Sequence, residues 1–283
     1  MVYELIHYQI NVDLNLKTLI DPDTSANVKP NVDFATGNTE LKFSDEFNGE
    51  YINPARWNII YKDRGWKNDI QRFWKKDNVN CCSNGKLEMI FTKDGDRQYS
   101  GGRIDTENRF EPSAGIFEVR MKIVWPHSMQ SCFWMMPHSC EPDDEFCDGN
   151  GLLPDGVTDC KANKGAEVDI VEANNQKEKY STGVHKDGYK ESEHKSWGEN
   201  VNAAGIHSGY HTWTLQWNKN HLRYYFDGKL TRHIEDTDWI PWVPEHLIIS
   251  GAVYNSTWVD GDLDTAQFPS SWHVDYVRGW DFT

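Results

Sequence analysis

Gly115-Ile-Phe-Glu-Val-Arg-Met-Lys-Ile123 alternates apolar and charged side chains. The apolar positions are Phe117, Val119, Met121 and Ile123. The charged positions between them are Glu118, Arg120 and Lys122. Successive side chains of a β-strand point to opposite faces, so this period of two is typical of a strand with one buried face. The stretch predicts a strand whose apolar face lies in a core and whose charged face lies in solvent.

Other short runs have the same β-type composition and are separated by turn residues. They cover residues 86–92, 212–217, 222–226, 246–250 and 273–280. Many short strands without a helical period predict an all-β sandwich or barrel. Trp213 and Trp217 fall on one face of one run and are expected in the core. Residues 1–40 are polar and irregular, which predicts an N-terminal arm leading into or packing on a single domain of residues 41–283.

Composition restricts the partners. The net charge of −15 argues against nucleic acid and anionic membranes, both of which select basic patches. No apolar run reaches the ~20 residues that a transmembrane helix needs. Thirteen tryptophans suit either sugar-stacking platforms or an aromatic β-sandwich core. A neutral glycan is the partner that this composition favours. We also expect a monomer.

The first residues show no basic region followed by an apolar run, so this sequence shows no signal peptide. The chain has six cysteines, at positions 81, 82, 132, 140, 147 and 160. An even number suits disulfides in an exported protein. A zinc site is the alternative, although Cys140 and Cys147 are widely spaced for ligands and no histidine joins the set. Residues 137–164 are expected to form a surface loop.

Glu167-Val-Asp-Ile-Val-Glu172 places three carboxylates inside an apolar run. Valine and isoleucine favour a strand, in which Glu167 and Asp169 point to the same face. Glu172 points to the other face unless a β-bulge between Asp169 and Glu172 absorbs one extra residue. Charged groups on so apolar a strand are costly to bury, so we expect them in a cleft. Neighbouring carboxylates with separated pKa values are what acid/base work on a glycosidic bond requires.

From about residue 40 onward the chain resembles glycoside hydrolase family 16. The hexapeptide at 167–172 resembles the bulged Glu-x-Asp-x-x-Glu catalytic signature of the laminarinase-like members. Further similar segments, in the family's order, are 43–49, 56–58, 65–71, 100–106, 115–122, 132–137, 182–185, 210–229 and 274–278. The resemblance rests on the order of these segments rather than on any one of them.

This resemblance implies an all-β fold, a β-jelly-roll sandwich of two curved antiparallel sheets with substrate in a concave cleft. It implies hydrolysis of internal β-linkages with retention of configuration. Glu167 is then expected to be the nucleophile, Glu172 the acid/base, and Asp169 the residue that hydrogen-bonds the nucleophile. No cofactor is expected for catalysis.

The resemblance also implies binding residues. The side chains expected to contact sugar are Trp134, His185, Arg103, Asn68, Trp258 and Trp125. For Trp134 and His185 the alternative is a place in the core. For Arg103 and Asn68 the alternative is a solvated or strand-pairing role. A structural calcium ion is expected at the main-chain oxygens near Glu46 and Gly85 and the side chain of Asp275, since calcium takes hard oxygen ligands.

One segment departs from the laminarinase-like pattern. Those members usually read Trp-Pro-Ala-Phe-Trp where this chain has Gln130-Ser-Cys-Phe-Trp134. The first hypothesis is a secreted endo-β-glycanase acting on a β-1,3- or mixed β-1,3/1,4-glucan. Branches that cut agar-type galactans have small residues before Phe-Trp, so an endo-β-1,4-galactanase acting on agar-type, carrageenan-type or host galactan is the second. A non-catalytic glucan-binding protein is the third, and the three retained acids argue against it.

Overall fold

The computed structural model describes residues 18–33, 37–81, 85–123, 128–137, 166–174, 178–187, 192, 194–256, 259 and 262–283. In chain order the described strands are β1 (Thr39–Asp45), β2 (Asn58–Ile59), β3 (Lys62–Lys67), β4 (Ile70–Trp74), β5 (Val79–Cys81), β6 (Leu87–Gly95), β7 (Gln98–Gly101), β8 (Arg103–Asp105), β9 (Gly115–Lys122), β10 (Met129–Pro137), β11 (Glu167–Ala173), β12 (Lys179–Lys186), β13 (Lys195–Ser196), β14 (Glu199–Asn202), β15 (His211–Asn218), β16 (His221–Phe226), β17 (Lys229–Ile234), β18 (Glu245–Val253) and β19 (Ser270–Phe282). Short 3₁₀ helices span Lys76–Asn78, Thr237–Trp239 and Leu263–Thr265. None of the helices in this part of the chain has the length and apolar character needed to cross a membrane.

The strands form two sheets, which confirms the predicted all-β sandwich. The first sheet has the order β17-β16-β15-β9-β19-β6-β7-β4-β3, with β1 also pairing with β19 and β5 with β6. The second has the order β13-β12-β11-β10-β18-β8-β2, with β14 also pairing with β12. Pairing is antiparallel except between β4 and β7.

The core is built from the inward faces of both sheets. Trp213 and Trp217 on β15 are buried as predicted, and Phe133 and Met135 on β10 lie in the same cluster. On β10 the alternate positions Gln130, Cys132 and Trp134 instead line a cavity. The two-residue period of the strand therefore gives the second sheet one face for packing and one face for a site.

The charged face of β9 differs from the expectation at one position. Glu118 is only 1% exposed, because the N-terminal arm crosses this face of the first sheet. Its carboxylate accepts hydrogen bonds from the Asn31 backbone N–H, Thr214 Oγ1 and Tyr276 Oη. Burial raises the pKa of this carboxyl.

The described part of the arm, residues 18–33, is attached to the domain by buried polar contacts. The Arg56 guanidinium donates to the Thr18 carbonyl and forms ion pairs with Asp21 and Asp45 at 2.9 and 3.2 Å. Trp280 Nε1 donates to the Val28 carbonyl at 3.1 Å. The arm thus packs on the sheet opposite the one that carries the acids.

Candidate active site

A β-bulge in β11 brings the three acids to one face of the second sheet. Against β10, Val171 pairs with Phe133 and Asp169 pairs with Trp134, so Ile170 is the extra residue. Against β12 the register shifts between Asp169 and Glu172. The bulge reverses the alternation, and Glu172 faces the same cavity as Glu167 and Asp169 while Val171 stays in the core.

Two adjoining cavities form a cleft over these acids. The smaller is lined by alternate residues of β10, β11 and β18. The larger, of about 780 Å³, extends along β12 and lies within the size range of ligand-binding clefts. Both cavities share Arg64, Glu167, Glu172 and Tyr254, so the carboxylates lie where the two cavities meet.

Glu172 is protonated at neutral pH. Burial, and next the negative charge of Glu167, raise the pKa of Glu172 to about 8. Gln130 Nε2 donates a hydrogen bond to Glu172 Oε1 at 2.9 Å, and this bond acts in the opposite direction by favouring the ionised form. A carboxyl that keeps its proton near neutrality is suited to act as a general acid.

Asp169 lies between the other two acids and is 2% exposed. Burial, then the charges of Glu172 and Glu167, hold its pKa well above the usual range. A side-chain hydrogen bond joins it to Glu167, and because Asp169 is protonated it is the donor in this bond. Glu167 thus receives a hydrogen bond that stabilises its carboxylate, the form needed for nucleophilic attack.

Gly183 on β12 makes room for Asp169. The two residues pair directly, and a Cβ at Gly183 would lie 2.6 Å from Asp169 Oδ2. Any larger residue would therefore displace the buried carboxyl. The sequence did not predict this requirement, although Gly183 lies in segment 182–185, which resembles the family.

His185 lies at the acids, as expected of a cleft residue. Its Nε2 is 3.8 Å from Glu167 Oε1 and 3.5 Å from Asp169 Oδ2. The sequence did not indicate its partner, His194, whose Nε2 lies 2.9 Å from His185 Nδ1. The two imidazole rings are stacked, with an interplanar angle of 5°.

Trp134 lines the smaller cavity, where its Nε1 donates to Ser250 Oγ at 3.0 Å. The structure does not place Arg103, predicted to contact sugar, on the surface of the cleft. Arg103 is 3% exposed, forms an ion pair with Asp105, and lies 4.7 Å from the Trp74 ring and 5.6 Å from the Trp134 ring. Its guanidinium packs on both tryptophan rings and lines neither cavity.

Asn68 also lines neither cavity, so its prediction as a sugar ligand is not supported. It occupies the β3–β4 turn with φ of 50°, and its carbonyl accepts a hydrogen bond from Asn255 Nδ2. The turn geometry explains the asparagine, since this residue tolerates positive φ. Trp125 and Trp258 lie outside the described residues.

Three cations and an exposed tryptophan on one wall of the cleft were not predicted as site residues. Arg64, Lys67 and Arg72 line the larger cavity together with Trp66, which is 61% exposed. Arg64 stacks over the Trp74 ring at 4.2 Å. This wall is basic in a chain whose net charge is −15.

The residues predicted for calcium do not fit a metal ion as they are placed. Each carboxylate oxygen of Asp275 forms an ion pair with a cation, one with Lys86 and the other with Arg120. Both cations also lie 4.9 Å from the Tyr210 ring. The Glu46 carboxylate binds Arg278, and Gly85 occupies a turn with φ of 68°. A calcium ion at Asp275 would face two positive charges, which disfavour a divalent cation there.

Of the six cysteines, only Cys81 and Cys132 lie among the described residues. Cys132 is a free thiol, buried in the wall of the smaller cavity beside Glu172. The disulfide framework therefore stays a prediction, as does the fold of the loop at 137–164.

Comparison with known proteins agrees with this geometry. The family model described as "Beta-porphyranase A-D, GH16 domain" matches residues 39–282. A "Beta-glucanase" from Rhodothermus marinus is 23% identical over 255 residues, covering 84% of each chain. The "Glucan endo-1,3-beta-glucosidase A1" of Niallia circulans is 24% identical and covers 87% of this chain, which spans 38% of that protein. The crystal structure of a laminarinase from Flavobacterium sp. UMI-01 superposes with a TM-score of 0.67 at 23% identity, covering 86% of this chain and all of that one.

Proposed function

The chain belongs to glycoside hydrolase family 16, and from this membership we propose that it is a retaining endo-β-glycanase that hydrolyses internal linkages of a β-1,3- or mixed-linkage β-glucan. The observation that carries the mechanism is the bulge in β11, which places Glu167 and the protonated Glu172 in one cleft. Curated relatives named as glucanases support the glucan.

The two steps follow from the protonation states. Glu167 attacks the anomeric carbon while Glu172 gives its proton to the leaving oxygen, and a glycosyl ester forms on Glu167. Glu172, now ionised, takes a proton from water, whose oxygen attacks the same carbon and releases Glu167. Two inversions give net retention. Asp169 donates a hydrogen bond to the attacking carboxyl of Glu167.

A galactan is the second candidate, and two observations favour it. The matching family model is described as a β-porphyranase, and it covers residues 39–282, nearly the whole described domain. Arg64, Lys67 and Arg72 give the cleft a basic wall, which suits a chain bearing anionic substituents better than a neutral glucan. The segment from Gln130 to Trp134, which lacks the first tryptophan and the proline, is consistent with this alternative.

Measurement of reducing ends released from laminarin, barley glucan, agarose, carrageenan and porphyran distinguishes the candidates. Release from laminarin or barley glucan supports the first, and release from the galactans alone moves the substrate to the second. Glu167→Ser should lose nearly all turnover and still bind oligosaccharide, whereas Glu235→Ser, an exposed control, should retain wild-type turnover. Binding without hydrolysis of any of these polymers would refute the enzymatic function.

We also propose that the enzyme is exported and monomeric. A polymeric substrate lies outside the cell, which supports export. Detection of the native protein in the culture medium and a size-exclusion mass near 32.8 kDa would support both statements. Retention of the protein in the cell, or a dimeric mass, would contradict them.

A further inference from the structure

The catalytic acids and His185 together have the composition of a transition-metal site. One oxygen from each of Glu167 and Asp169 and one nitrogen of His185 lie within 4.8 Å of one another. His185 Nε2 is 3.8 Å from the Glu167 oxygen and 3.5 Å from the Asp169 oxygen. Bonds of about 2.0–2.2 Å in a tetrahedral zinc site place neighbouring ligand atoms roughly 3.3–3.6 Å apart. The three side chains therefore need only small movements to share one ion.

Asp169 supplies an independent indication of a ligand. Its side chain is buried, and Oδ2, the oxygen that faces His185, has no hydrogen-bond partner. A buried oxygen without a partner is costly, and a coordinated cation would remove that cost.

His194 provides the supporting contact that metal-binding histidines usually have. It lies 2.9 Å from His185 Nδ1, and when it accepts the Nδ1 proton the Nε2 lone pair of His185 points toward the acids. Such outer contacts fix the tautomer and orientation of a ligating imidazole.

The backbone holds these ligands in place before any ion arrives. Glu167 and His185 are directly opposed residues in the β11–β12 ladder, and Asp169 pairs with Gly183 in the same ladder. Glu167 and His185 line the larger cavity, so an ion can reach them from the cleft. A mixed imidazole and carboxylate set suits zinc or copper, whereas calcium takes at least ~6 oxygen ligands.

We propose that a divalent transition-metal ion, zinc or more strongly copper, binds across Glu167, Asp169 and His185 and inhibits the enzyme. The inhibition rests on the proposed function, because the ion occupies the nucleophile, but the binding does not. Inhibition is competitive with substrate. Magnesium and calcium do not produce it.

Calorimetric titration of the metal-free protein with zinc chloride tests the binding. Glu172→Gln, inactive but with all three ligands, should bind zinc like the wild type. His185→Asn should bind about 100-fold more weakly and His194→Asn about 10–100-fold more weakly. His273→Asn, which removes a histidine near Glu88 far from the acids, should match the wild type and reports any background sites.

Each result decides the proposal. Wild-type zinc affinity in folded His185→Asn, checked by circular dichroism, overturns it. If His185→Asn fails to fold, unchanged affinity in His194→Asn overturns it instead. Zinc binding that leaves hydrolysis by the wild type unaffected also overturns it. If no polysaccharide is hydrolysed at all, the proposed function fails while the titration still decides the metal site.

Discussion

Gln130 should set the upper pH limit of hydrolysis. Its amide donates to Glu172 Oε1 at 2.9 Å, and among the causes acting on Glu172 it is the one that lowers the pKa. Replacing Gln130 by methionine, which has a similar size and no donor, removes that effect. The pKa of Glu172 should then rise above its value of about 8.

The size of the shift follows from the difference between two hydrogen bonds. A bond to a charged group contributes about 1.5–3 kcal/mol and a bond to a neutral group about 0.5–1.5 kcal/mol. The ionised form of Glu172 therefore loses roughly 1–1.5 kcal/mol more than the protonated form, which corresponds to about one pH unit.

The profile of kcat/KM against pH measures this shift. Its alkaline limb reports loss of the Glu172 proton, and we expect its midpoint to move upward by about one unit in Gln130→Met. Gln216→Met is a matched control, because Gln216 is equally buried but lies on β15, where it accepts from Tyr225 Oη. An unchanged or lowered alkaline midpoint in Gln130→Met, with normal folding, would refute the reasoning.

Three further outcomes are expected. Glu172 holds a proton in the folded state up to about pH 8 that the unfolded chain releases near 4.5, so stability falls as pH rises through this window. Glu172→Gln should accordingly raise the Tm by several degrees near pH 8 and hardly at all near pH 4.5. An equal rise in Tm at both pH values would contradict the predicted loss of stability with rising pH. EDTA or millimolar calcium should leave the wild-type Tm unchanged, because Lys86 and Arg120 neutralise Asp275; a clear rise with calcium would show that the metal displaces them. Trp134→Ala should raise KM about 10-fold through loss of stacking, whereas the exposed Trp242→Ala should not.

Local patterns predicted the parts of the molecule that depend on neighbouring residues in sequence. Alternation in residues 115–123 identified a strand, and the parity of Glu167, Asp169 and Glu172 required a bulge that the structure contains. Both arguments rest on the two-residue period of a strand, which holds in any tertiary context.

Features that depend on distant contacts could not be predicted in this way. Arg103 is placed between Trp74 and Trp134, which come from different strands, so its burial depends on how the strands meet. Glu118 has the alternation of a solvent-facing residue, but it is buried beneath the arm and hydrogen-bonded to Asn31. His194 lies outside β12, and its position next to His185 has no periodic signal in the sequence.

The N-terminal arm lies outside the part of the chain that matches the family, but it packs as part of the folded domain. The family match begins at residue 39, yet the arm satisfies Glu118 through Asn31, Trp280 through Val28, and Arg56 through Thr18. A buried polar group left without its partner costs about 1–3 kcal/mol, and a whole domain is stable by only about 5–15 kcal/mol. A fusion or domain-shuffling boundary drawn at residue 39 would cut away these arm contacts and leave Glu118 with Thr214 and Tyr276 and Arg56 with Asp45, so such a boundary belongs before the arm.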